Sequence, residues 1–144
     1  MKEATGDLWT YPAEYRLITT NGVRNSLNEL IMGAGVALEA KQRYTTLPAK
    51  LGKWVEEYGN RPFVCVEEKI ITFPTKRNWR DLSDVFLIRE SAKLIVAIVD
   101  KYGIGSVVGT RPGCGNGGLD WKTVKPYIAD VFDDKFTIID RCVS

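Results

Sequence analysis

Apolar and polar positions along the chain switch between two periods, and the switches mark its elements. Short runs rich in β-branched and aromatic residues predict strands over residues 2–9, Tyr15–Thr20, Phe63–Val66, Ile70–Phe73, Ser106–Val108 and Lys135–Asp140. A helical period runs between them. From Gly33, the residues Val36, Ala37, Ala40 and Tyr44 share one face while Glu39, Lys41 and Arg43 point outward. Leu47-Pro48 opens a second helix, with Leu51, Trp54, Val55 and Tyr58 as its buried stripe and Gly59-Asn60 as its stop. Ser83 is placed to cap a long helix to about Tyr102, and Asp120 a final one to about Phe132. Strands alternating with helices predict an α/β fold with a mixed or parallel sheet. Such sheets bind ligands at the carboxyl ends of their strands, where Asn21, Lys76 and the loop after Val108 are predicted to lie.

That last loop is the most informative stretch. It carries Gly113, Gly115, Gly117 and Gly118 between a short apolar strand and a helix start. Glycine admits positive φ and places no Cβ in the way of a ligand, and a helix N-terminus adds partial positive charge. Backbone N–H groups in this layout can converge on phosphate oxygens. A second glycine turn, Met32-Gly33-Ala34-Gly35-Val36-Ala37, also opens a helix. A diphosphate ligand fits the pair better than two ordinary surface turns do. Gly113-x-Gly115-x-x-Gly118 also satisfies the dinucleotide fingerprint, with Asp140 near the position of the ribose-binding acid. A Rossmann fold, however, begins with that fingerprint, and here only one helix and one strand follow it.

Composition narrows the chemistry. The chain has 144 residues, 44% hydrophobic and 26% charged, which bounds it to one domain, residues 1–144. Its N-terminus lacks a signal-peptide core and no apolar run reaches membrane-span length, so a cytoplasmic location and no membrane partner are expected. A net charge of +2 does not by itself announce nucleic-acid binding. Cys65, Cys114 and Cys142 lack metal-ligand spacing and are expected as reduced thiols. Histidine is absent altogether, which removes Ser-His and Cys-His catalysis and His-ligated zinc. No metal and no cofactor are expected, and a monomer is. By residue type, any chemistry falls to Lys, Asp, Glu, Tyr, backbone donors or a bound metal.

Four segments, in order, carry a resemblance. Gly6-Asp7-Leu8-Trp9, Met32–Ala37, Phe73-Pro74-Thr75-Lys76-Arg77-Asn78-Trp79-Arg80 and Gly113-Cys114-Gly115-Asn116-Gly117-Gly118-Leu119-Asp120-Trp121 resemble those of a macrodomain, an ADP-ribose-binding module. The resemblance spans residues 3–140 and points to the branch holding the DNA-directed ADP-ribosyl glycohydrolase antitoxins and the terminal ADP-ribose protein glycohydrolase. It implies a three-layer α/β/α sandwich with a mixed central sheet.

It also implies residue roles. Asp7 would accept a hydrogen bond from the adenine amino group, and Asn21 would lie beside the distal ribose. Gly33, Ala34, Gly35 and Val36 would wrap that ribose and the diphosphate. Gly113, Cys114, Gly115, Asn116, Gly117 and Gly118 would hold the diphosphate through backbone amides. Lys76, by residue type alone a solvated loop cation, matches the lysine that acts at the anomeric carbon. Gly117 stands where the protein-directed enzyme has an assisting aspartate, which favours the DNA-directed branch and leaves the proton donor unassigned. The activity implied is removal of ADP-ribose from a modified DNA base. An ADP-ribose-1″-phosphate phosphatase, a protein-directed hydrolase and a non-catalytic reader are the alternatives. Arg77, Trp79 and Arg80 interleave cations with an aromatic ring, as in surfaces that track single-stranded DNA. A packed Trp79 with solvated arginines fits the same run.

Overall fold

A computed structural model describes residues 1–141 of the chain. Six strands form one sheet in the order β1-β6-β5-β2-β4-β3. They are β1 (Lys2–Gly6), β2 (Tyr15–Thr20), β3 (Val64–Cys65), β4 (Ile70–Pro74), β5 (Val107–Thr110) and β6 (Phe136–Arg141). All pairings are parallel except β3 with β4, so the sheet is mixed. Four α-helices cover it: α1 (Gly35–Arg43), α2 (Leu47–Tyr58), α3 (Val85–Tyr102) and α4 (Trp121–Ile128). No described helix is long and apolar enough to cross a membrane.

The three layers follow from strands that are apolar on both faces. Successive residues in a strand point to opposite sides. Leu17, Ile71, Val107 and Ile138 therefore join one core cluster with Ile88, Ala92, Ile95 and Val99 of α3 and Val124 and Ile128 of α4. Their neighbours Ile18, Ile70, Val108 and Ile139 join the other, with Val36, Ala37 and Ala40 of α1 and Leu47 and Leu51 of α2. On the first face Phe132 stacks on Phe136 at 4.1 Å between centroids and takes an edge contact from Phe73. Arg16, although in a central strand, ties down the loop after β1, with Nε donating to the Leu8 carbonyl at 2.8 Å and Nη2 to the Tyr11 carbonyl at 2.6 Å.

Several boundaries differ from the sequence reading, each for a local reason. β1 stops at Gly6, because the Asp7 carbonyl and side chain turn the chain back: Tyr11 N donates to Asp7 O at 2.9 Å and Trp9 N to Asp7 Oδ1 at 2.8 Å. The long helix is capped by Asp84 rather than Ser83. Asp84 Oδ1 accepts from the backbone N–H groups of Phe86 and Leu87. The last helix ends at Ile128, and Phe132 lies beyond the turn that follows it. Asp120 stands at its N-cap but makes no side-chain capping bond. Cys65 is buried and free, its thiol pushed up to about 12 by burial, and Cys114 is half-buried and free. Cys142 lies outside the described residues.

Gly52, inside α2, shows how tightly the loop before α1 packs on its helix. A Cβ there would overlap the backbone carbonyl of Asn28, while Leu30 N donates to Pro48 O at 2.9 Å beside it. Alanine normally stabilises a helix interior over glycine by about 1 kcal/mol. Here the overlap is with backbone, which cannot yield as a side chain does, and overpacking costs typically 1–3 kcal/mol. Gly52→Ala is therefore expected to lower stability by about 2 kcal/mol in urea denaturation, opposite in sign to the propensity.

Candidate functional site

The main cleft, about 760 Å³, opens at the carboxyl ends of β2, β4, β5 and β6. β2 and β5 pair at only Tyr15–Val107 and Arg16–Val108, whereas β2 and β4 pair along five residues. Beyond that short pairing the two central strands part, and Thr19, Thr20 and Thr110 line the gap. Their connections leave in opposite directions. The chain after β2 runs through α1 and α2 on one face, and the chain after β5 runs to α4 on the other. This is the topological switch point at which open α/β sheets take ligands.

Both glycine segments reach it. Gly33, Ala34, Gly35 and Val36 line one wall, and Gly113, Cys114, Gly115, Asn116 and Gly117 the other. Gly35, Gly113 and Gly115 take positive φ (55°, 77° and 77°), a region that L side chains rarely adopt. Gly115–Gly117 forms a single 3₁₀ turn. Gly118, also at positive φ, does not line the cleft; a Cβ there would meet Leu82. The cleft holds three cationic side chains, Lys76, Arg111 and Arg141, and one acidic one, Asp140. That balance suits an anionic ligand.

Asn21 lines the cleft, 7% exposed, with its amide shared between two loop segments: Nδ2 donates to Ile31 O at 2.9 Å, and Oδ1 accepts from Val23 N at 2.8 Å. One N–H and one lone pair are left for a ligand. Lys76 enters the cleft just beyond β4, half-buried. Its Nζ faces the carbonyls of Trp79 at 3.3 Å and Asp81 at 3.4 Å, and it makes no ion pair among the described residues. Trp79 lines the mouth and is 46% exposed, so it is not a core residue. Arg80 lies over its ring at 4.9 Å and Arg77 is bound to Asp84 at 2.6 Å; neither lines the cleft.

Asp7 is exposed and does not line the cleft. It follows the Gly6–Arg141 pair directly, which places its backbone one residue beyond the rim. The rim itself is made by Ile139, Asp140 and Arg141 of β6, with Arg111 after β5. The sequence reading missed Arg111 and Arg141 as site residues, although their places at strand ends were the available signal. Both are held in place. Arg141 bonds Glu39 Oε1 and Oε2 at 2.6 and 2.7 Å, and Trp9 Nε1 donates to Oε1 at 2.8 Å. The Arg141 guanidinium above all, with the Trp9 indole, holds the Glu39 carboxyl below its ordinary range. Arg111 lies over the Trp121 ring at 5.4 Å and 3.7 Å from Asp140.

The segment after Lys76 is fastened to both walls. Asp84 N donates to Thr75 O at 2.8 Å, and Ser83 N to Gly117 O at 2.9 Å. Arg77 above all, then the Leu87 and Phe86 N–H groups, lowers the Asp84 carboxyl pKa against the opposing effect of burial. A carboxyl lowered in the folded state stabilises above its unfolded value, near 3.9, and that contribution is lost as pH falls through the folded value. Asp84→Ala is expected to cost about 1 kcal/mol at pH 7, the usual worth of an N-cap. Thermal denaturation of both proteins should show the difference shrinking below about pH 4.

No family model matches the chain. It is 32% identical over 137 residues to a DNA ADP-ribosyl glycohydrolase of Mycobacterium tuberculosis, a match covering 89% of this chain and 37% of that protein. The chain thus spans little more than a third of that relative's length. Among solved structures, the macrodomain of Mycobacterium tuberculosis DarG superposes with a TM-score of 0.82 at 28% identity, covering 99% of this chain and 97% of that one. Thermosipho africanus DarTG in complex with ADP-ribose superposes at 0.78 with 21% identity, over 95% of this chain and 40% of that one.

Proposed function

Because this chain has the macrodomain fold, we propose that it binds ADP-ribose in the cleft between its two glycine segments and removes it from a modified DNA base. The observation that carries the reading is the meeting of Gly33–Val36 and Gly113–Gly117 in one cleft, with Lys76, just beyond β4, lining the same cleft. Backbone N–H groups of the glycine turns take the diphosphate. The adenosine lies toward β6, where Asp7, Asp140 and Arg141 gather, and the distal ribose toward β4 and Lys76. β6 and β4 are three strand spacings apart, roughly 14 Å at ~4.8 Å each. Similarity to a protein named DNA ADP-ribosyl glycohydrolase supports the DNA-directed choice.

Cleaving the bond at C1″ requires charge stabilised there or a covalent intermediate at that carbon. The Lys76 amine, bound only by two long contacts to carbonyls, is free to serve either need. The DNA strand crosses the cleft mouth at Trp79, whose exposed ring is a stacking platform, with Arg77 and Arg80 beside it. Exposed Leu82 and Phe86 continue that surface past the cleft. The reading places this activity in the cytoplasm, in a monomer.

Calorimetry is expected to show binding of ADP-ribose in preference to AMP and NAD; no preference would remove the ligand assignment. Lys76→Ala should abolish turnover of an ADP-ribosylated oligonucleotide while leaving ADP-ribose affinity within about tenfold, or ~1.4 kcal/mol. Full activity of that variant on the oligonucleotide, on ADP-ribosylated protein and on the 1″-phosphate alike would show Lys76 to be a surface cation. Turnover of the protein or the 1″-phosphate instead of the oligonucleotide would select one of the two other hydrolytic activities.

A further inference from the structure

Among the described residues, Ser83 Oγ is the only buried side-chain polar atom without a hydrogen-bond partner. Buried polar groups in folded proteins are almost always satisfied, so an orphan is a cost that needs a reason. Ser83 is 7% exposed, and it lines the cleft. It does not cap α3, since Asp84 does. Its backbone N–H is already committed to Gly117 O at 2.9 Å. The hydroxyl alone is idle.

Its surroundings say where it acts. A Cβ on Gly117 would overlap Ser83 Oγ, and one on Gly113 would meet Ser83 Cβ at 3.0 Å. The hydroxyl thus fills the space from which a side chain at position 117 would project. It also closes the turn that begins at Lys76, whose Nζ faces the carbonyls of Trp79 and Asp81. One small hydroxyl therefore packs against the second glycine turn, on the segment that carries Lys76 and bonds back to Thr75 beside the end of β4.

We infer that Ser83 is a ligand-contacting residue, whose hydroxyl donates a hydrogen bond to a sugar or phosphate oxygen at the Lys76 end of the cleft. The inference rests on the ADP-ribose reading above. Gly117 packs directly on the hydroxyl oxygen and both residues line the cleft, so a ligand oxygen at that wall is the acceptor it lacks. Because the group is a neutral donor on a fixed backbone, it positions the distal part of the ligand and carries no proton away.

Ser83→Ala tests this in the folded chain, because it removes only the oxygen. ADP-ribose affinity by calorimetry is expected to fall about five- to thirtyfold, with AMP affinity unchanged, since AMP lacks the distal ribose and its phosphate. The melting temperature without ligand should stay the same or rise, because an unpartnered buried hydroxyl is lost. A hydroxyl that served the fold would do the reverse. The inference is overturned if Ser83→Ala binds ADP-ribose within twofold of the parent, or if it melts lower and loses AMP and ADP-ribose equally. A parent protein that fails to bind ADP-ribose overturns the functional reading together with this one; a parent that binds and a variant that binds equally well overturns this one alone.

Discussion

The cleft exists because two neighbouring parallel strands stop pairing early. β2 and β5 share two residue pairs, Tyr15–Val107 and Arg16–Val108, and then separate, while the pairs on either side run four and five residues. Three facts meet at that point. The connections from the two strands leave toward opposite faces of the sheet, so nothing refills the gap from above. Gly109 lies against Leu17, where a Cβ would crowd the leucine side chain at 2.9 Å, so the core closes just beneath the opening. And Arg16, the last residue of β2 paired with β5, spends its guanidinium on the loop after β1 rather than on the cleft. A crevice with a closed floor is the result.

Around that crevice the charged side chains are set in place by neighbours outside it. Arg141 is clamped by Glu39 of α1 and, through Glu39, tied to Trp9. Arg111 rests on Trp121, whose indole N–H is bonded to Glu3 at 3.0 Å. Glu3 is also held by Lys125 at 2.6 Å, and that lysine, then Trp121, lowers its carboxyl pKa. Single exposed ion pairs of this kind contribute little to stability, with a median below about 1 kcal/mol. Their effect is geometric: the rim cations are oriented before a ligand arrives, which lowers the ordering cost of binding. Lys76 is the exception, held by two weak contacts to carbonyls.

The strap from Thr75 to Asp84 connects these parts. It leaves β4, carries Lys76 and Trp79, touches the second glycine turn through Ser83, and ends by capping α3. The capping bond and the Arg77 ion pair anchor it at one end, and the Asp84–Thr75 backbone bond returns it to the sheet. The lysine and the glycine turn therefore keep a fixed relation although Lys76 and Gly113 are 37 positions apart in sequence.

Much of this was decided by the sequence alone. β2 and α2 were legible to the residue, because Asn21-Gly22, Pro48 and Gly59 punctuate them unambiguously. The α/β class followed from short β-rich runs alternating with amphipathic helices, and both glycine segments from composition and order. What tertiary structure decided was whatever depends on partners far along the chain. Ser83 and Asp84 are both good cap residues, and only the pull of Gly117 on Ser83 N and of Arg77 on Asp84 settled which one caps. Asp7 and Gly118 carry the right residue types but lie off the cleft wall, since a turn and a packed Leu82 take them. Arg111 and Arg141 become site residues only because β5 and β6 are neighbours, a pairing that no local pattern contains. Periodicity is a property of a few consecutive residues and can be read from them; the choice between equivalent donors and charges is made by contacts across the sheet, and it waits for the fold.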